Sequence, residues 1–190
     1  MRKQLYLASQ SPRRKELLEQ LGYPFQVVSI NCEEIYPKEM PVSEVAGYLS
    51  QLKAEAFRAL EPHEVLLTAD TIIAVENEVL GKPKDEAHAK TMLRQLSGRT
   101  HQVYTGISLR TAERIITKTD VAKVTFFPMT EAEMDFYIQK FKPWDKAGAY
   151  GIQEWLGMAK IQKIEGSFYT IMGLPTHLVY EILSTISDEK

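Results

Sequence analysis

Cysteine is almost absent from this chain: Cys32 stands alone in 190 residues. One thiol excludes an internal disulfide framework and a cysteine-rich zinc site, and leaves Cys32 as a buried or incidental residue. Long apolar runs are also lacking. The stretch behind the basic start Met1-Arg2-Lys3-Gln4 is only Leu5-Tyr6-Leu7-Ala8, too short for the apolar core of a signal peptide or for a membrane span. The expectation is a cytoplasmic protein with no membrane partner. Charge of one sign is missing as well. With 23 Lys+Arg against 25 Asp+Glu, the formal net charge is -2 and the pI is near 6.1. Such a balance argues against a nucleic-acid partner held by a basic stripe, so cations that matter must be concentrated locally. No Gly-x-x-x-x-Gly-Lys-Ser/Thr run occurs, hence no P-loop. The four histidines, His63, His88, His101 and His177, contain no His-x-x-x-His pair and read as structural or exposed. Repeats, low-complexity segments and linkers are absent too. A hydrophobic content of 44% is enough for one domain over residues 1–190, with two lobes.

What is present intermixes strands and helices. Residues 5–8 read as a strand. Ser11-Pro12 reads as an N-cap with proline at the first helical position. Leu17, Leu18 and Leu21 give that helix an apolar face, and Gly22 ends it. Residues 25–30 read as a second strand and 33–41 as a polar loop. Ser43 is expected to cap a helix reaching Leu60, because Val45, Leu49, Leu52, Ala56 and Leu60 recur at helical spacing. Lys53 then flanks the stripe and can point into a cleft. Residues 65–68 and 71–75 are strand-like on either side of Asp70, and Glu76-Asn77-Glu78 turns the chain toward Val79-Leu80. A helix is expected over 85–96, closed by Ser97-Gly98. Residues 102–110 and 115–127 read as paired strands. Thr130-Glu131-Ala132-Glu133 is a capping box for a helix running to Lys140. Residues 146–153 read as a glycine-containing loop and 167–172 as a strand. Gly173-Leu174-Pro175 opens a last helix through Leu183, and Asp188-Glu189-Lys190 is expected to fray. Trp144 and Trp155 flank the glycine-containing loop and are assigned to the core, with a lid or a partner contact as the alternatives. This mixture predicts an α/β fold with a mixed central sheet and flanking helices.

The chemistry gathers around Asp70. A carboxylate set between two apolar strand runs is costly unless a metal, a cation or hydrogen bonds compensate. Alone it is compatible with a capped structural aspartate. The chain also offers dispersed cations at Arg13, Arg14, Lys53 and Lys82. One buried acid with such cations is what metal-assisted phosphate chemistry requires. Ser9-Gln10-Ser11-Pro12-Arg13-Arg14 lies between a strand and a helix, where backbone N–H groups suit phosphate. Two arginines there oppose the helix macrodipole, a cost that an arriving anion removes; the alternative is a pair of solvated surface arginines. Gly81-Lys82-Pro83 stiffens a turn around a lysine, as a phosphate ligand or as a plain turn. In residues 145–153 the small side chains permit close backbone approach to a ligand. Gln153 can both donate and accept, so it can read a base edge; the alternative is a flexible β-loop.

Five segments in order resemble one family. Ser9-Gln10-Ser11-Pro12-Arg13-Arg14, Ala69-Asp70-Thr71, Gly81-Lys82-Pro83, Leu96-Ser97-Gly98-Arg99-Thr100-His101 and Asp145-Lys146-Ala147-Gly148-Ala149-Tyr150-Gly151-Ile152-Gln153 are similar to the Maf family. Its members are nucleoside triphosphate pyrophosphatases, also described as septum-formation inhibitors. The resemblance implies an α/β fold like that of inosine triphosphate pyrophosphatase, with two lobes around a cleft. It implies hydrolysis of a nucleoside triphosphate to the monophosphate and pyrophosphate, with a divalent cation, Mg2+ or Mn2+. The family's general base falls on Asp70 and its specificity positions on Arg13, Thr71 and Gln153. Other pocket positions fall on Ser9, Arg14, Glu33, Lys53 and Lys82. Asp70 and Glu33 would hold the metal, and whether Asp70 acts mainly as base or as ligand stays open. The Lys-Ala-Gly-Ala-Tyr-Gly-Ile-Gln form resembles the branch acting on dTTP and UTP, extended to modified pyrimidine nucleotides. A sister branch acting on 7-methyl-GTP carries a different residue where Gln153 stands. Members of the dTTP/UTP branch usually follow that glutamine with glycine; here Glu154-Trp155 follows. The family name also leaves a second implication, a nucleotide-binding regulator of cell division whose hydrolysis is incidental. A homodimer stays open as well.

Overall fold

Glu64–Val75 forms one long strand, β3, in which only Thr71 is not fully buried. The computed structural model, which describes residues 3–188, thus joins the two apolar runs of the sequence into a single strand that passes through Asp70. Val65, Ile72, Ile73 and Val75 favour that extended backbone, and burial on both faces marks a central strand. Seven strands are described in one sheet, ordered β2-β1-β3-β5-β6-β7, with β4 pairing β3. They are β1 (Gln4–Ala8), β2 (Phe25–Val27), β4 (Glu78–Leu80), β5 (Thr100–Arg110), β6 (Ile115–Phe126) and β7 (Ile161–Glu165), besides β3. β1 runs parallel to β2 and to β3, whereas β4 and β7 pair antiparallel with β3 and β6. The sheet is therefore mixed, as expected.

The chain divides into two compact units, and the division on β3 falls between Asp70 and Thr71. The first unit takes the chain up to Asp70, Thr105–Asp120 and everything from Gly173 onward. Its parallel strands need crossovers, supplied by helices α1 (Pro12–Gln20) and α2 (Val42–Glu55). α2 packs directly on the sheet. A Cβ added to Gly106 of β5 would stand 2.3 Å from the Ala46 carbonyl oxygen, so only glycine admits this approach. α2 begins after Pro41 rather than at a Ser43 cap, and it stops at Glu55, short of Leu60. The cause of the early stop is distant in sequence. Arg110 of β5 donates to the carbonyls of Ala54 and Phe57 at 2.7 and 2.9 Å, satisfying groups that helix termini leave orphaned. Arg58 then forks onto Glu64 at 2.7 and 2.8 Å, and Leu60 joins a small cluster with Tyr6 and Leu66. β2 covers only half of the expected 25–30, because its partner β1 ends at Ala8.

The second unit comprises Thr71–Tyr104 and Val121–Met172. It holds an apolar core built on Ile73, Val103, Val124 and Phe126 of the strands and on Leu93 of α3 (Glu86–Leu96) and Tyr137 of α4 (Glu131–Phe141). The Thr130–Glu133 capping box of α4 is formed on both sides. Two elements depart from expectation. Residues 167–172 are not a strand; Phe168–Met172 forms a short helix, α6. The edge beside β6 is taken instead by β7, which follows a one-turn helix, α5 (Trp155–Ala159). Gly166, with φ of +104°, ends β7 and turns the chain, so the β-favouring side chains after it find no strand to pair with. Trp155 packs against the core, whereas Trp144 is exposed.

The final helix, α7 (Thr176–Asp188), belongs to the first unit. The expected fraying at 188–190 falls largely outside the described residues. Among the described residues no helix is long and apolar enough to cross a membrane.

Candidate active site

In the first unit, Asp70 lies on β3 with only 8% of its surface exposed. Its Oδ1 accepts from Lys53 Nζ at 2.5 Å. The same ammonium stands 3.0 Å from Glu34 Oε1. Lys53 thus joins two carboxylates, one nearly buried and one half exposed. The contact of α2 with the sheet at Gly106 carries Lys53 to this point.

The turn between β1 and α1 supplies further groups. Ser9 Oγ accepts from the Ser11 amide at 3.2 Å and from Arg14 Nη1 at 3.3 Å. Arg14 Nε donates to the Gly173 carbonyl at 2.8 Å, a glycine whose φ is +106°. Ser11 occupies the N-cap position with Pro12 behind it, but its side chain makes no capping bond. The first turn of α1 carries Arg13 and Arg14 and no acid. Burial lowers the pKa of the Arg14 guanidinium; the charge of Asp70 opposes this, Arg13 adds to it and Glu34 opposes it. Ser9, Arg13, Arg14, Lys53 and Asp70 are therefore one electrostatic group. Glu34 belongs to it as well and escaped the sequence reading. Glu33, named there as a metal ligand, is exposed, and its neighbour is the acid that reaches Lys53.

Among the described residues no group of three or more His, Cys, Asp or Glu could hold a metal ion. Two carboxylates beside a lysine do suit a hard cation that keeps waters and arrives with phosphate oxygens, as Mg2+ does. The donor set fits an ion shared with a substrate rather than a resident one caged by protein.

In the second unit, Thr71 follows on β3, and Lys82 is exposed on the turn after β4. The Gly81 carbonyl accepts from the Gly148 amide at 3.0 Å. That bond ties the Gly-Lys-Pro turn to residues 145–153. Gly148 has φ of +64°, and a Cβ there would stand 2.8 Å from Ile73 Cδ1, so glycine is required at the junction. Tyr150 is buried, and its hydroxyl lies 2.7 Å from His101 Nε2. His101 is 1% exposed, and burial pushes its pKa down to about 3. A neutral imidazole that anchors the loop fits the structural role expected of it. Gln153 has an exposed side chain at the end of this segment.

The sequence model of the family described as Maf-like protein matches residues 4–186. A dTTP/UTP pyrophosphatase of Porphyromonas gingivalis is 44% identical over 188 residues, covering 97% of this chain and 94% of that protein. A dTTP/UTP pyrophosphatase of Bacteroides thetaiotaomicron is 46% identical over 179 residues, covering 93% of each chain. Among solved structures, the Staphylococcus aureus Ham1 protein aligns with a TM-score of 0.45 and 16% identity, over 65% of this chain and 72% of that one.

Proposed function

The chain belongs to the Maf-like protein family, and on that premise we propose that it hydrolyses dTTP and UTP to the nucleoside monophosphate and pyrophosphate. The observation that carries this reading is the nearly buried Asp70 held by a lysine that also pairs Glu34. Relatives that share more than two fifths of the sequence and bear the name dTTP/UTP pyrophosphatase support it.

In this reading Asp70 orients a water molecule and takes its proton as the water oxygen bonds to the α-phosphorus. The bond between the α-phosphorus and the bridging oxygen breaks, and pyrophosphate leaves with that oxygen. Arg13, Arg14 and Lys53 lower the energy of the charge that develops on the phosphate oxygens. Ser9 holds the β1–α1 turn in shape through its bonds to Ser11 and Arg14. Lys82 supplies a further cation, and Thr71 and Gln153 select the base. A divalent cation, Mg2+ or Mn2+, is part of the proposal. Asp70 and the Glu33-Glu34 pair would hold it, and it would neutralise phosphate charge.

The test is a screen of canonical and modified nucleoside triphosphates, with pyrophosphate and orthophosphate measured separately. Pyrophosphate should appear first, fastest from dTTP and UTP. Orthophosphate as the first product, or no turnover of any nucleotide, would overturn the reading.

A further inference from the structure

The base-reading segment is closed on itself by groups outside the chemistry described so far. Lys146 is 8% exposed, and buried lysines are rare unless paired. Its ammonium stands 2.8 Å from Asp145 Oδ1 and 3.2 Å from Glu154 Oε1. Glu154 Oε2 accepts from the Tyr137 hydroxyl, whose ring on α4 is fully buried. That hydroxyl oxygen in turn accepts from the Gly151 amide at 2.9 Å. The Glu154 side chain also lies against Gly151, where an added Cβ would stand 2.8 Å from Glu154 Cδ. Backbone positions on both sides of Gln153 are therefore fixed by the same carboxylate and the same phenol.

We propose that Lys146, Glu154 and Tyr137 form a clamp that positions Gln153 for discrimination between nucleobases. The proposal rests on the reading that Gln153 recognises the base. The Gln153 side chain is exposed, so its placement depends on the backbone that carries it. A side chain discriminates by hydrogen bonds only if it is presented in a narrow range of positions. A buried network with its members satisfied provides such rigidity. Burial and the bond to Glu154 hold the Tyr137 hydroxyl protonated, so it remains a donor to the carboxylate while it accepts from Gly151. The three side chains are positioning residues and touch no reacting atom.

The test compares Tyr137→Phe, Glu154→Ala and the near-isosteric Glu154→Gln with the parent protein. For each, kcat and KM are measured with UTP and with GTP, and amide exchange at Gly151 is followed without nucleotide. Tyr137→Phe and Glu154→Ala should lower the UTP-to-GTP ratio of kcat/KM about tenfold, mainly through KM for UTP. Glu154→Gln keeps an acceptor for Tyr137 and should retain most of the ratio. Gly151 should exchange faster in Tyr137→Phe. Equal losses with both nucleotides would mean a purely stabilising network and would overturn the clamp. Gln153→Ala, measured alongside, separates the two levels. If it lowers the ratio while the clamp variants do not, the clamp fails and the base reading stands. If it leaves the ratio unchanged, the base reading itself fails, and a clamp acting through Gln153 fails with it.

Discussion

Lys53 Nζ lies 2.5 Å from Asp70 Oδ1, a pair between α2 and the central strand in which both side chains are largely buried. Breaking such a pair from one side usually leaves an uncompensated charge. Here the loss of the Asp70 charge leaves Lys53 with Glu34, at 3.0 Å. Asp70→Asn should therefore fold, and its melting temperature should stay near that of the parent. Its turnover should fall by about a hundredfold to ten-thousandfold, the usual range for a general base. Near-parental hydrolysis in a folded Asp70→Asn protein would sink the proposed mechanism.

Glu34 and Glu33 make a second, sharper comparison. Both glutamates are exposed, and it is Glu34 that shares Lys53 with Asp70. Glu34→Gln should raise the Mg2+ concentration needed for half-maximal turnover more than Glu33→Gln does, by about tenfold, as expected when one of very few protein carboxylates for a hard cation is lost. Chelation of divalent ions should stop turnover in the parent, and added Mg2+ should restore it. A larger effect from Glu33→Gln would return the role to that residue, and turnover indifferent to chelation would remove the metal from the proposal.

Local signals in the sequence located most strands and helices, because each rests on contacts within a few residues. The capping box at Thr130, the proline at the start of α1 and the apolar runs of β3 are of that kind. The misplaced boundaries have non-local causes. α2 stops where Arg110, across the sheet, takes its terminal carbonyls, and no residue near Leu60 announces this. Residues 161–165 are a strand because the edge of β6 is open to them, and their half-buried pattern carries little periodicity. The same division holds at the candidate site. Asp70 stands out as an acid between apolar runs, and Arg13, Arg14 and Lys53 as cations. Which of Glu33 and Glu34 reaches Lys53 is set by an irregular loop, where no period assigns a side chain to a face. Lys146, Tyr137 and Glu154 escape for a related reason, since Tyr137 reads as an ordinary core aromatic on a helix.

His101 gives the structure a pH dependence of its own. An unfolded histidine titrates near 6.5, and burial lowers the folded value to about 3. Between these values the unfolded chain binds a proton that the native protein does not. The stability held by neutral His101 is whole above about pH 6.5. It is lost as pH falls toward 3, at up to about 1.4 kcal/mol per pH unit. His101→Gln retains a hydrogen-bonding group for Tyr150 and cannot titrate in this range. Its unfolding free energy should fall less steeply than the parent's between pH 7 and pH 5, as measured by urea titration at each pH. Parallel pH dependences in the two proteins would show that His101 takes up its proton over the same pH range in the native and unfolded states, and so is not held neutral by burial.

A glutamine amide donates through its nitrogen and accepts through its oxygen. One side chain can therefore donate to a pyrimidine carbonyl and accept from the ring N–H beside it. A site built on such bonds rejects analogues that leave its polar atoms unpaired. Gln153→Glu keeps the length of the side chain and replaces the donor with a charged acceptor. It should lower kcat/KM for dTTP and UTP by about tenfold to a hundredfold, the cost of an unpaired polar group at about 1–3 kcal/mol. GTP, which in this reading makes no such pair, should be affected far less. The measurement is the ratio of kcat/KM for UTP to that for GTP before and after the substitution. If both nucleotides lose activity alike, Gln153 only supports the Gly148-containing loop, and base selection must lie with Arg13 or Thr71.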